Sequence, residues 1–315
     1  MRLLAVILLA ATLSAQPARI IFDTDMGNDI DDALALAVIH ALESRGEAKL
    51  LAVTLTKDNK DAAPYVDIVN YFYGRPNIPI GVVKNGKTPK DAPMIAVPVA
   101  NPVYPRRLKN YQDAPEAVSL LTEILSEQPD HSVTIVQVGF FTNLARLIAT
   151  PAGKALAQRK VKQLVMMAGA FPKGKKEYNV YIDLPAAAKV FAEWPTPIVT
   201  SGYEIGDTIK YPSVSIENDF NYVKNHPVAE AYRNYMKMPY DRQTWDLTAV
   251  LYAVRPNRGY FSLSENGTIT TDAEGVTTHT ANPAARQQYL IVNDTQRARV
   301  LEALIQLASQ PPGKH

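Results

Sequence analysis

The sequence predicts an α/β protein: an open, mostly parallel sheet covered by helices, with C-terminal helices and a β-hairpin added. Three observations predict it. Strand-like and helix-like segments alternate from Arg19 to Thr200. The run Val133 to Val138 reads as a continuous apolar strand, as in a sheet covered on both faces. After Ile216 the alternation stops, and helical stretches and a hairpin follow.

In order, Arg19 to Thr24 reads as a strand and Asp31 to Ser44 as a helix. Lys49 to Leu55 is a strand, Ala62 to Tyr73 a helix and Ile78 to Val83 a short strand. The Pro-rich section from Pro89 to Pro105 reads as a long loop. Ala114 to Gln128 is a helix with Val118, Leu121 and Leu125 on one face. Past the Val133 strand come a short helix, Thr142 to Ala149, and a strand, Val161 to Met167. A helix, Ala186 to Glu193, and a strand, Pro197 to Thr200, complete the β-α alternation. Helical stretches then cover Asp219 to Met236 and Thr244 to Val254. Thr268 to Thr271 and Val276 to Thr280, split by Asp272-Ala273-Glu274-Gly275, read as a hairpin. Asp294 to Ser309 is a final helix, N-capped by Asn293 or Asp294. With no internal repeat and no Gly/Ser linker, residues 16–315 read as a single Rossmann-like domain.

The 315 residues suffice for a large core, and 47% hydrophobic with 20% charged residues is ordinary for a globular chain. A net charge of +2 without a long basic stripe gives no reason to expect nucleic acid. The absence of cysteine excludes disulfides, thiolate metal sites and a Cys nucleophile. Residues 1–15 read as a signal peptide: Met1-Arg2 is positive, Leu3 to Leu13 is apolar but too short to span a bilayer, and Ser14-Ala15-Gln16 is cleavage-like. The mature protein is therefore expected to be exported, periplasmic or secreted, with no membrane attachment after cleavage.

The richest segment is Asp23-Thr24-Asp25-Met26-Gly27-Asn28-Asp29-Ile30-Asp31-Asp32-Ala33. Five carboxylates fall within ten residues, from the end of the first strand to the start of the first helix. Like charges this close disfavour ionisation unless a cation holds them. An all-oxygen ligand set suits Ca²⁺ or Mg²⁺. Capping would explain one or two of these residues, not five. An EF-hand fits poorly, because Gly27 falls at the fifth loop position and Leu34 at the twelfth. Four further polar places fall just after strands or at helix starts: Thr54 to Asn59, Gly139 to Asn143, Ala168 to Ala170 with Glu177 to Asn179, and Trp245 to Ala249.

From about Arg19 to Pro256 these motifs make the chain resemble the nucleoside hydrolases, the inosine-uridine-preferring N-ribohydrolases. That family carries Asp-x-Asp-Pro-Gly-x-Asp-Asp-Ala near its N-terminus, and the segment beginning at Asp23 is similar to it. Ala52-Val53-Thr54, Phe141-Thr142-Asn143-Leu144-Ala145, Glu177-x-Asn179-x-x-x-Asp183 and Asp246 match later family motifs in the same order. The resemblance implies a Ca²⁺ site held by Asp25, Asp32, the backbone carbonyl of Thr142, and Asp246. It implies that Asp31, Asn59, Glu177 and Asn179 grip a ribose, and that Asp25 is the base activating a calcium-bound water. It further implies hydrolysis of the N-glycosidic bond of ribonucleosides or a related ribosyl compound, and a homo-oligomer.

Three departures stand out. The first loop is two residues longer than the family motif, with Met26 in place of Pro, which leaves open whether Asp29 or Asp31 faces the sugar. The loop Phe171 to Lys176 is short and lacks an Asn that contacts ribose in the family. Trp245 stands where many members have a His that protonates the leaving base. None of His40, His131, His226, His279 and His315 takes that position, and His226 is expected at the surface. Trp245 is a candidate platform for a flat base, and Tyr232, Tyr235, Tyr240, Asp241 or Arg242 could supply a proton or shape the pocket. Lys173-Gly174-Lys175-Lys176 reads as a solvated turn. The alternatives are a haloacid-dehalogenase-type phosphatase built on Asp23 and Asp25, for which Gly27 stands where a Thr is needed, and a non-catalytic ribosyl-ligand binder.

Overall fold

The computed structural model describes residues 16–313; the leader expected over residues 1–15 lies outside them. Its strands are β1 (Ala18–Thr24), β2 (Ala48–Lys57), β3 (Ile80–Lys87), β4 (Val133–Gln137), β5 (Val161–Met167), β6 (Ile198–Ser201), β7 (Lys210–Tyr211), β8 (Arg242–Gln243), β9 (Ser262–Leu263), β10 (Gly267–Thr271), β11 (Thr277–Ala281) and β12 (Gln287–Ile291). Ten form one sheet in the order β11-β10-β12-β6-β5-β4-β1-β2-β3, with β9 beside β12, while β7 and β8 pair separately. From β3 through β6 to β12 every pairing is parallel.

The chain lays down β1, β2 and β3 in one direction, then returns to the other side of β1 for β4, β5 and β6. That reversal opens a crevice at the carboxyl ends of β1 and β4, where α/β sheets bind ligands. Alternate residues along β1 face opposite layers, as the twofold strand period requires. Ile20 and Phe22 enter one core, under the helices Asp31–Ser44, Ala62–Phe72 and Trp245–Val254. Ile21 enters the other, under Ala117–Glu127, Thr142–Leu147 and Leu184–Glu193. Burial on both faces explains why these strands read as apolar runs.

The helix Asp31–Ser44, the strand Val161–Met167 and the hairpin β10–β11 agree with expectation. Elsewhere the structure corrects it. The stretch Pro89 to Pro105 is not all loop: it holds a 3-10 turn, Pro93–Ile95, and a short helix, Ala96–Ala100. The helix expected from Asp219 begins at Pro227, because Pro fits the first helical position and lacks the N–H needed further in. His226 is its N-cap, with Nδ1 accepting from the Val228 N–H at 3.3 Å. Instead of lying at the surface, His226 is 2% exposed and packs against Phe72 and Phe220. The helix Pro151–Lys160 and strand β12 had no counterpart in the sequence reading. In β12 only Leu290 is fully buried, so the run carries little apolar signal. Among the described residues no helix is long and apolar enough to cross a membrane.

Candidate functional site

β1 ends at Thr24, and the chain turns through Asp25-Met26-Gly27-Asn28, closed by the Asn28 N–H donating to the Asp25 carbonyl at 3.0 Å. Gly27 has φ +102°, a conformation that side chains avoid, and an added Cβ would lie 2.6 Å from Asn59 Nδ2. The next helix starts at Asp31 with Ile30 at the N-cap and no side-chain cap. The carboxylates of Asp31 and Asp32 therefore sit in the first turn, where the helix dipole favours anions. The Thr24 hydroxyl donates to Asp32.

Oxygens of Asp29, Asp32 and Asp246 lie within 4.8 Å of one another. Oδ2 of Asp25 and Oδ2 of Asp32 are buried with no hydrogen-bond partner. Unpartnered buried carboxylate oxygens are costly unless something positive meets them. An all-oxygen donor set of this density fits a hard divalent cation such as Ca²⁺ or Mg²⁺.

One resident cation already serves the cluster. Arg242 donates from Nε and Nη2 to Asp31 Oδ1 at 3.1 and 2.9 Å, and its Nη2 pairs with Asp29 Oδ2 at 2.7 Å. Burial, with the charges of Asp31 and Asp32 behind it, holds the Asp246 carboxyl well above the usual range. Burial and the Asp29 charge raise Asp25, against the pull of Lys57. Burial pushes Asp23 to about 7, and burial with the Asp29 charge pushes Asp31 to about 8 despite Arg242.

These shifts fix a sign. Between pH 4 and 8 the folded, metal-free protein holds more protons than the unfolded chain, whose carboxyls titrate near 4. Stability of the metal-free protein is expected to fall as pH rises through that window. A divalent cation bound by these carboxylates would have to displace those protons, so its stabilisation should grow toward pH 8. Thermal denaturation at pH 5 and pH 8, with calcium or chelator, checks both; a metal-free midpoint that rises with pH would contradict the expectation.

A cleft of about 500 Å³ opens over the cluster. Asp25, Asp29, Asp31 and Asp246 line one end. Glu177 and Asn179 line it from the segment after β5. Glu177 accepts from the Asn179, Gly169 and Val180 N–H groups at 3.0, 3.1 and 3.1 Å, and burial outweighs these bonds to lift it to about 7. Asn179 Nδ2 donates to the Val138 carbonyl at 2.9 Å and to that of Met167 at 3.2 Å, leaving its amide oxygen for a ligand. Tyr178, Tyr181, Tyr203, Tyr235 and Trp245 supply an aromatic lining.

Of the expected site residues, Asp25, Asp31, Glu177, Asn179, Trp245 and Asp246 line this cleft. Asp32 sits in the carboxylate cluster beneath it. Two residues are placed elsewhere. Thr142 opens a helix, so its carbonyl points along the helix axis; its hydroxyl donates to Asp183 and it lines a different hollow. Val138, at the end of β4, reaches the cleft instead. Asn59 packs against Gly27, and its Oδ1 accepts from the Asp61 N–H at 2.8 Å, bracing the loop. Asp23 also stays below, accepting from Thr54 at 2.6 Å and Asn143 at 2.8 Å. Tyr232 and Tyr240 stack on each other at 4.4 Å outside the lining, and Asp241 caps Ser213. Among the described residues no histidine lines the cleft. The sequence reading missed Lys175 and Lys176, which line it rather than forming a merely solvated turn.

The sequence model of the family described as inosine-uridine preferring nucleoside hydrolase matches residues 20–305. The chain belongs to that family. Single relatives point to the same family. It is 29% identical over 201 residues to an inosine-uridine preferring nucleoside hydrolase of Crithidia fasciculata, covering 58% of this chain and 60% of that one. It is 31% identical over 211 residues to a pyrimidine-specific ribonucleoside hydrolase of Shewanella sp., covering 59% of each. The chain thus spans about 60% of the length of the curated relatives it matches. Two solved structures share the nucleoside hydrolase fold across 94% of this chain. One is a plant nucleoside hydrolase (TM-score 0.72, 22% identity, all of that chain covered), the other a purine-preferring ribonucleoside hydrolase from Gardnerella vaginalis (TM-score 0.70, 18% identity, 99% of that chain covered). Family membership removes the ground for the phosphatase alternative.

Trp245 occupies its place through a close approach. Its Nε1–H donates to the Tyr203 carbonyl at 2.8 Å, and its ring tilts against Tyr203 at 5.4 Å. A Cβ on Gly206 would fall 2.5 Å from Trp245 Cα. Gly206→Ala is therefore expected to destabilise by about 1–3 kcal/mol and to displace the aromatic wall. Thermal denaturation and substrate KM check it; an unchanged KM would show that the wall does not touch substrate.

Proposed function

We propose that this protein hydrolyses the N-glycosidic bond of a ribonucleoside or related ribosyl compound, with Ca²⁺ as its metal. The observation that carries the reading is one cleft combining the Asp29-Asp32-Asp246 cluster, the unpartnered oxygen of Asp25, and the polar pair Glu177 and Asn179. Breaking the bond between the sugar and the base nitrogen sends the electron pair to the base and builds positive charge on the ribose. Calcium, when bound, would orient the ribose hydroxyls and acidify the attacking water. Asp25 accepts that water's proton as the new carbon–oxygen bond forms. Asp31, Glu177 and Asn179 read the hydroxyls, and a sugar lacking one leaves them unpaired, which supports a ribose preference. The flat wall of Trp245 and Tyr203 suits a nucleobase.

The test is ribose release from a panel of purine and pyrimidine ribonucleosides, with calcium or chelator, beside Asp246→Ala. Calcium-dependent release that the variant loses supports the reading. The missing histidine favours one other outcome: ribonucleoside binding without release, which would make the protein a ribosyl-ligand binder. Export and self-association belong to the same proposal. The first rests on the leader-like Met1 to Gln16, the second on family resemblance.

A further inference from the structure

The cleft lining carries positive charge as well as carboxylates. Lys175 Nζ stands 3.5 Å over the Tyr203 ring, and Lys176 Nζ stands 4.5 Å over the Tyr181 ring. Both lysines line the cleft. Among the described residues neither forms an ion pair with a carboxylate, whereas Lys57, Lys154, Lys160 and Lys189 all do.

Their loop is braced. Lys176 forms a β-bridge with Val276 beside β11. The Ala170 N–H donates to Thr277 Oγ1 at 3.0 Å, and the Phe171 N–H to Glu204 Oε2 at 2.9 Å. A Cβ on Gly174 would lie 2.6 Å from Val276 Cγ1, so the loop packs tightly on the hairpin. The Lys175 ammonium is thus held above the same tyrosine that packs on Trp245, and the Lys176 ammonium above Tyr181.

Resting on the ribohydrolase reading, we infer that the leaving ring of the substrate carries a carboxylate, which Lys175 and Lys176 select. Lys175 would thus border a ring seated against Trp245, through the Tyr203 that both side chains touch. A lysine there also favours departure of the ring with the electron pair of the broken bond, in a cleft that no histidine among the described residues lines.

The experiment compares three substrates on the full chain with calcium: uridine, uridine bearing a ring carboxylate, and uridine 5′-phosphate. The expected result is a preference in kcat/KM for the ring carboxylate over uridine of about tenfold at low salt, shrinking as salt rises. In Lys175→Gln/Lys176→Gln that ratio should fall to near one; the substitutions are at exposed positions. Equal use of uridine and its carboxylate, or preference for the 5′-phosphate alone, overturns the inference while leaving the ribohydrolase reading intact. Absence of ribose release from all three overturns the reading instead. Calorimetric binding of the same ligands then decides the inference: a carboxylate preference lost in the double variant supports it, and equal affinity refutes it.

Discussion

Asp25→Asn is expected to cut ribose release by about 10²–10⁴-fold, the range for loss of a positioned general base. The same change should raise, not lower, the midpoint of the metal-free protein at pH 8. Asp25 is buried, its carboxyl is held far above the ordinary range, and Asp29 and Asp31 repel it. An amide of the same shape removes that repulsion. Function and stability thus move in opposite directions, as expected where a strained charge is kept for chemistry. Turnover within threefold of the parent would show that another group takes the proton. A fall in the midpoint would show that the carboxylate stabilises the loop.

Arg242→Ala carries the largest expected loss of stability, about 3–5 kcal/mol for one partner of a buried ion pair removed. Arg242 is 7% exposed and Asp31 is 1% exposed, so the pair is largely shielded from bulk water. The loss should be greatest near pH 8 and smaller at pH 5, where Asp31 takes up a proton. Added calcium should recover part of it, because a second cation then meets the same carboxylates. Urea denaturation at the two pH values checks this. A loss below about 1 kcal/mol at pH 8 would mean that the cluster is neutralised without Arg242.

Much of this was legible in the sequence because it is local. Asp25, Asp31, Asp32, Glu177, Asn179 and Asp246 stand at strand ends or helix starts, where a parallel sheet must present them. What was not legible depends on partners far along the chain. Arg242 pairs with Asp31 across 211 positions, and only electroneutrality hints at it: so many carboxylates at one point demand a buried cation. Thr142 lies outside the cleft lining, and a motif match says nothing of carbonyl direction, which the first turn of a helix fixes. Asn59 also lies outside the lining, its Oδ1 accepting from the Asp61 N–H, a local contact that its motif position does not reveal. Lys175 and Lys176 read as solvated because their neighbours, Tyr181 apart, come from other elements.

The Arg242–Asp31 contact also bears on how the molecule is assembled. Synthesis delivers the acidic loop first, and its guanidinium and Asp246 last among the residues of the cluster. A nascent chain or fragment ending before residue 242 would present five neighbouring anions with neither of these partners. Closing so long a connection is slow, since loop entropy is lost before the contact forms. The acidic loop would then be the last part of the sheet's rim to settle, and a divalent cation binding its carboxylates would act as a folding aid.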